Sequence, residues 1–247
     1  MPEKNLFKVM PRGFKYMNVA ILFSGGKDST LAVETALAKG WNISYLLSVK
    51  PTRKDCYLFH YATVEHTPKI AEMLGLKHKL VSCSVANAKK EAEIVKRVVE
   101  KNPVDAVVLG GTGLQETQIR SIKEALAPIG IKVFASHEGL NHGKVLKGML
   151  EKGYEICITQ FASAGFDESM LGLKLTKDNF KEFEEKSRRF GFHIGGEGGY
   201  YDTFVLSAPF YKKAFEFAGV QKIVDGANTG HIEAKSIAEK AFVVAKN

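Results

Sequence analysis

The chain has 247 residues and is short of cysteine and of long apolar runs, and each shortage closes off a class of protein. Its cysteines, Cys56, Cys83 and Cys157, are an odd number at long, unpatterned spacings, which suits neither a disulfide framework nor a zinc-binding set. They read as buried or incidental thiols, with no paired-cysteine signature for sulfur transfer and no Cys/His pairing of a glutaminase. No segment approaches the ~20 continuous apolar residues of a membrane span, and Lys4, Lys8, Arg12 and Lys15 interrupt the N-terminus where a secretory signal needs an apolar core. These absences predict a cytoplasmic protein without a membrane partner. Internal repeats, low-complexity tracts and long disordered linkers are missing as well.

What remains is a globular composition, 45% hydrophobic, with ample core for one large domain or two unequal ones. The net charge of +8 favours ATP, RNA or an acidic protein surface without choosing among them. With no recognisable RNA-binding module, nucleic acid is the less supported partner. A homo-oligomer is left open.

The most informative run is Ser24-Gly25-Gly26-Lys27-Asp28-Ser29. It follows the apolar stretch Met17 to Phe23 and leads into Thr30 to Leu37, the order of buried strand, glycine turn and amphipathic helix. In such a turn backbone N–H groups converge on an anion, glycine tolerates positive φ, and the helix N-terminus adds about half a positive charge. Phosphate is the natural ligand. Lys27 can neutralise an oxygen, Ser24 and Ser29 can donate hydrogen bonds, and Asp28 can hold Mg²⁺ or position a neighbouring donor. The GxxxxGK[ST] loop of kinases and GTPases needs a longer glycine arch and is excluded. The run resembles instead the SGGxDS signature of the PP-loop, or N-type, ATP pyrophosphatases, which implies that ATP is cleaved to AMP and pyrophosphate.

The alternation continues downstream. Trp41 to Val49 reads as a strand, His66 to Leu74 as a helix ended by Gly75, and Lys79 to Ser84 as a strand. Ala86 to Lys101 is a helix stopped near Pro103, Asp105 to Leu109 a strand, Glu116 to Ala127 a helix, and Ile131 to Phe134 a short strand. This predicts an α/β fold with a parallel sheet covered by helices on both faces. Ser24, Ser48 to Arg53 and Gly110 to Gly113 fall beyond the carboxyl ends of the strands and are expected to share one cleft.

From about His137 the rhythm changes, which places a soft boundary near residue 136: an ATP-pyrophosphatase domain over 1–136 and a smaller α+β domain over 137–247. Its expected elements are a helix from Leu140 to Lys152, a strand from Tyr154 to Phe161, a helix from Lys177 to Phe190, and strands of this smaller mixed domain at Phe210 to Phe217 and Ile232 to Val244. Between them lies Gly195-Gly196-Glu197-Gly198-Gly199-Tyr200-Tyr201-Asp202-Thr203. Either this is a bulged hairpin with Glu197 and Asp202 as solvated charges, or its glycines let the backbone approach a ligand that Glu197, Tyr201, Asp202 and Thr203 line. Arg53, Lys54 and Lys50 either contact phosphate or a protein substrate, or form a solvated loop. His137, Glu138 and His142 lack a spacing that puts three ligands on one face, so no structural metal is assigned.

The stretch GEGGYYDTFVLSAP resembles the GE(G/N)GEYET(F/L)xLDxP motif of the diphthine–ammonia ligase family. Ala162 to Asp167 and Leu171-Gly172 are similar to further stretches of that family, so the resemblance covers most of the chain. It implies an ATP-dependent ligase that adenylates the diphthine carboxylate of translation elongation factor 2 and amidates it with free ammonium; the alternatives are a divergent PP-loop paralogue acting on tRNA or a small carboxylate, or an ATP-binding protein without turnover. Implied nucleotide ligands are Ser24, Gly25, Gly26, Lys27, Asp28, Ser29 and Gly110, with Mg²⁺ on Asp28. Lys27, Asp28 and Glu197 are the implied catalytic residues, and His60, Gly198, Gly199, Tyr201, Asp202 and Thr203 the implied acceptor-binding set. The chain departs from the family at Tyr200, usually Glu, at Ser207, commonly Asp, and at Phe134 to Glu138, where a Leu-Trp pair is frequent.

Overall fold

The structure is a computed structural model, and it describes residues 17–53, 55–56, 58–59, 62–111 and 116–240. His60, Lys54, Thr112, Gly113 and Val244 lie outside the described residues. The first half alternates as expected: β1 (Asn18–Leu22), α1 (Lys27–Ala38), β2 (Asn42–Pro51), α2 (Thr67–Leu74), β3 (His78–Cys83), α3 (Ala88–Lys101), β4 (Ala106–Leu109), α4 (Glu116–Leu126) and β5 (Lys132–Ala135). Its strands form a five-stranded sheet in the order β3-β2-β1-β4-β5, and every pairing is parallel. The strand order reverses between β1 and β4, so the crevice between their carboxyl ends is where ligands of such sheets bind.

Period-two alternation splits the core between the two faces. Val19, Ile21 and Phe23 pack with Ala32, Val33 and Ala36 of α1, whereas Ala20 and Val107 pack with Ala92, Val95 and Val99 of α3 and Ile122 and Leu126 of α4. Local chemistry fixes the helix ends: Asn87 Oδ1 accepts from Lys90 N at the start of α3, and Gly75 at φ 70° closes α2.

The second half contains α5 (His142–Glu151), β6 (Glu155–Ala162), β7 (Lys174–Leu175), α6 (Phe180–Phe190), β8 (Tyr201–Ser207), β9 (Ala214–Gly226) and β10 (Thr229–Lys240). β6 pairs with β7, β8 and β10, and β10 with β9, all antiparallel, which with α5 and α6 gives the expected α+β arrangement. The strands expected at Phe210 to Phe217 and Ile232 to Val244 fall on the two arms of one long hairpin, whose register runs from Ala214 opposite Lys240 to Gly226 opposite Thr229. Its middle is exposed and held by cross-strand pairing rather than by burial, so hydrophobic pattern did not mark it. Leu146, Met149, Ile158, Phe204, Phe215 and Ile232 join the core on the α1 face of the first sheet, so one apolar cluster runs through both halves.

Candidate active site

β1 ends against a turn that its own side chains organise. Gly25 adopts φ 80°, Ser24 Oγ accepts from Gly26 N at 3.3 Å and lies 3.2 Å from Ser29 Oγ, and Ser29 Oγ donates to the Gly26 carbonyl at 3.1 Å. Gly26 is the N-cap of α1 with extended backbone and no capping side chain, which leaves this helix start available to an anion. A methyl group at Gly110, where β4 ends, would stand 2.5 Å from the Asp28 backbone carbon. Only glycine lets β4 deliver the chain so close to the start of α1.

The second half supplies the opposite wall. Lys27 N donates to Thr203 Oγ1 at 3.1 Å, and Val205 N donates to the Gly25 carbonyl at 2.8 Å, so β8 is fastened to the first turn. Just before β8, the second glycine run loops back over the crevice: Gly196 at φ 75° packs against the Tyr201 carbonyl, and Gly195 N and Glu197 N donate to His193 Nδ1 at 3.2 and 3.3 Å. It links α6 to β8 and is not a hairpin. Between the walls is a cavity of about 720 Å³ lined by Ser24, Gly26, Lys27, Asp28, Ser29, Gly110, Glu197, Gly198, Gly199, Tyr201, Asp202 and Thr203. Nucleotide and acceptor residues expected from separate motifs thus share one enclosure. A larger groove of about 890 Å³ between β3 and α3 contains none of them.

Charge is concentrated at the cavity floor. Lys27 is 6% exposed; its Nζ stands 2.7 Å from Asp28 Oδ2 and 5.6 Å from the Tyr201 ring centroid. Burial pulls the ammonium down, but Asp28, Tyr201 and Glu197 outweigh it and raise Lys27 above the usual lysine range. Burial likewise opposes ionisation of Asp28, and Lys27 with His137 overcomes it, holding the carboxyl well below the usual range. At neutral pH the floor is a fixed ammonium–carboxylate pair. Burial also raises the Tyr201 phenol, whose hydroxyl donates to the Ile194 carbonyl at 2.6 Å and stays protonated.

Several expectations need correction. Of the segment Ser48 to Arg53, only Val49 lines the cavity, beside Leu47. Ser48, on the opposite face of the strand, donates to the Phe23 carbonyl at 2.6 Å, and Arg53 forks onto Asp55 at 2.8 and 2.7 Å. Glu197 is no solvated charge: its side chain is 9% exposed and its Oε1 lies 3.0 Å from His142 Nε2. The linear spacing argues against shared ligation by His137 and His142, yet the fold gathers Asp28, His137 and His142 with their donor atoms within 4.8 Å of one another. Sequence reading also missed Gln118, Gln160 and Cys56 in the lining and His193 beneath the glycine run. The only sequence signal for these histidines is position, at the carboxyl end of β5 and just before the glycines. Burial pushes the Cys56 thiol up to about 12, so it supplies no thiolate nucleophile near neutral pH.

Comparison with known proteins agrees with this geometry. Residues 17–133 match the diphthamide synthase N-terminal domain and residues 141–239 the diphthamide synthase C-terminal domain. The chain belongs to the diphthamide synthase family. Its curated relatives include proteins named diphthine–ammonia ligase from Homo sapiens, 25% identical over 86% of this chain and 87% of the human one, and from Bos taurus, 29% identical over 80% and 81%. A relative of the same name from Schizosaccharomyces pombe is 27% identical over 80% of this chain but only 35% of its own length. In this diphthamide synthase family member the two matched regions contribute the two facing glycine turns, one from each. Among its described residues no helix is long and apolar enough to cross a membrane.

Proposed function

We propose that this protein is an ATP-dependent ligase that adenylates the diphthine carboxylate of translation elongation factor 2 and amidates it with ammonium, releasing AMP and pyrophosphate. The observation that carries this reading is the single enclosure formed by a lysine-bearing glycine turn at a helix start and a second glycine turn bearing Glu197, Asp202 and Thr203. A carboxylate resists ammonia because the anion repels the nucleophile and oxide is a poor leaving group; adenylation removes both obstacles.

The residues present fit a polyphosphate. At Gly25, Gly26 and Gly110 a side chain would press on Phe204, Thr203 and the Asp28 backbone, so only glycine lets the turn, β4 and β8 close together, and Lys27 holds a fixed positive charge beside them. Gly26, Ser24, Ser29 and the start of α1 seat the phosphates, while Lys27 balances charge that builds on the departing pyrophosphate. Asp28 is the carboxylate suited to Mg²⁺, which when bound neutralises phosphate charge. Across the cavity, Tyr201, Asp202, Thr203 and the open backbone at Gly198 and Gly199 orient the acceptor, and Glu197 is placed to accept a proton from the incoming ammonium. Tyr200 and Ser207, where the chain departs from the family pattern, are not among the cavity-lining residues, which supports the family's acceptor. The working division into a nucleotide-binding part up to residue 136 and an acceptor-binding part beyond it follows the same assignment.

The test is pyrophosphate release from ATP, Mg²⁺ and ammonium with diphthine-bearing or unmodified elongation factor 2, read together with the factor's mass. Release that needs the diphthine form and converts its acid to the amide is expected. Lys27→Ala should lower turnover by about 10²-fold or more. Full activity in that variant, or no release with either form of the factor, overturns the reading.

A further inference from the structure

Three chain regions that are distant in sequence converge beside the first glycine turn. Asp28 is the second residue of α1. His137 follows β5, where Ser136 N donates to the Leu109 carbonyl at 2.9 Å and His137 N to the Gly111 carbonyl at 3.3 Å, which brings it alongside Gly110 and hence Asp28. His142 is the first residue of α5, capped by Asn141, and its ring packs under Gly195 so closely that a methyl there would stand 2.7 Å from Cγ. Glu197 comes from the glycine run. Both imidazoles are 5% exposed.

The donor atoms face one another at separations that suit coordination. His137 Nε2 is 3.4 Å from Asp28 Oδ1, and His142 Nε2 is 3.0 Å from Glu197 Oε1. Metal–nitrogen and metal–oxygen bonds of about 2.0–2.2 Å in a tetrahedron put neighbouring donors roughly 3.3–3.6 Å apart. Second-sphere contacts are in place too. Ser136 Oγ engages His137 Nδ1 at 2.6 Å, which turns Nε2 towards Asp28, and Lys27 occupies the other carboxylate oxygen, Oδ2. His137 Nε2 is buried and makes no hydrogen bond within ordinary limits.

We propose that Asp28, His137 and His142 bind one divalent transition metal of the Zn²⁺, Co²⁺ or Mn²⁺ class, with Glu197 held against His142. Two imidazole nitrogens select against Mg²⁺, which prefers oxygen ligands, so this ion is distinct from the one that accompanies ATP. The site shares Asp28 with the ligase reading, but its test involves neither ATP nor turnover, so either can fail alone.

The experiment is a titration of the chelator-stripped full chain with Co²⁺ alone, followed by visible absorption. One equivalent is expected to give the intense ligand-field bands of low-coordinate Co²⁺ without a thiolate charge-transfer band. One equivalent of Zn²⁺ should remove them, and a large excess of Mg²⁺ should not. His137→Ala and His142→Ala should each weaken binding about 10- to 100-fold or more. To keep the test independent of how well those variants fold, Zn²⁺ is added to the ¹⁵N-histidine-labelled wild-type chain, where two buried imidazoles should shift in slow exchange. Weak octahedral bands, a thiolate band, affinity unchanged in both folded variants, or histidine signals that do not move would each overturn the site.

Discussion

At the first glycine turn a methyl group on Gly25 would sit 2.4 Å from Phe204 Cε2; at the second, a methyl on Gly199 would meet nothing within 4 Å. Both glycines have positive φ, 80° and 82°, so the backbone demand is the same and only the surroundings differ. The first turn is clamped between β1, α1 and β8, and the tip of the second is open. Under the proposed function the clamped turn seats the polyphosphate and the open one admits the acceptor side chain, so preorganisation falls on the part of the substrate pair that does not vary.

Breaking the clamp should have the largest effect. Gly25→Ala combines a left-handed backbone with overlap against a buried ring and should lose about 3–5 kcal/mol in chemical denaturation, together with ATP binding. Thr203→Val keeps the shape of β8 but leaves the Lys27 N–H buried without its acceptor. A loss of about 1–3 kcal/mol, with weakened nucleotide affinity, is expected there. At the open turn, Gly199→Ala meets backbone strain alone. It should cost about 1–2 kcal/mol and leave ATP binding, measured by calorimetry, unchanged. A cost at Gly199 equal to that at Gly25 would erase the contrast.

The smallest effect is a reference point outside both turns. Ser48 and Thr67 give their hydroxyl hydrogens to the Phe23 and Val64 carbonyls, so His78 Nε2, 2.9 and 3.1 Å from the two oxygens, is the donor of a neutral imidazole. Burial holds His78 below its usual pKa, so the unfolded chain takes up the proton first. The stability it contributes is complete above about pH 6.5 and drains as the pH falls through that value. Denaturation midpoints between roughly pH 8 and 5 should show this decline, and His78→Gln should flatten it.

The clamped turn was legible in the sequence and the histidine cluster was not, for a physical reason. Ser24 to Ser29 act through their neighbours in the chain: strand, glycine and helix start are contiguous, and the local order dictates the geometry. The parallel sheet was legible for the same reason, because each strand and helix announces itself through burial. His137 and His142 meet Asp28 only because β5 lies next to β4 and α5 returns beneath the second glycine run, a relation that linear spacing does not carry. The β9–β10 hairpin escaped similarly. Gln221, Lys222 and Asp225 face solvent, and its stability lies in pairing with the neighbouring strand. Its turn, Ala227-Asn228, is only two residues long and carries no glycine to mark it.

The bonds from Lys27 N–H to Thr203 Oγ1 and from Val205 N–H to the Gly25 carbonyl also bear on how such a chain can be inherited. A phosphate loop that leans on a strand more than 170 residues downstream is not a portable cassette. A truncation after β5 would discard one wall of the cavity, which under the proposed function serves nucleotide and acceptor alike. Grafting residues 17–133 onto a foreign partner would succeed only if that partner offered a hydroxyl and a backbone donor at the same two points. Duplication and divergence of the whole chain, rather than exchange of halves, is the route such wiring leaves open to new acceptors.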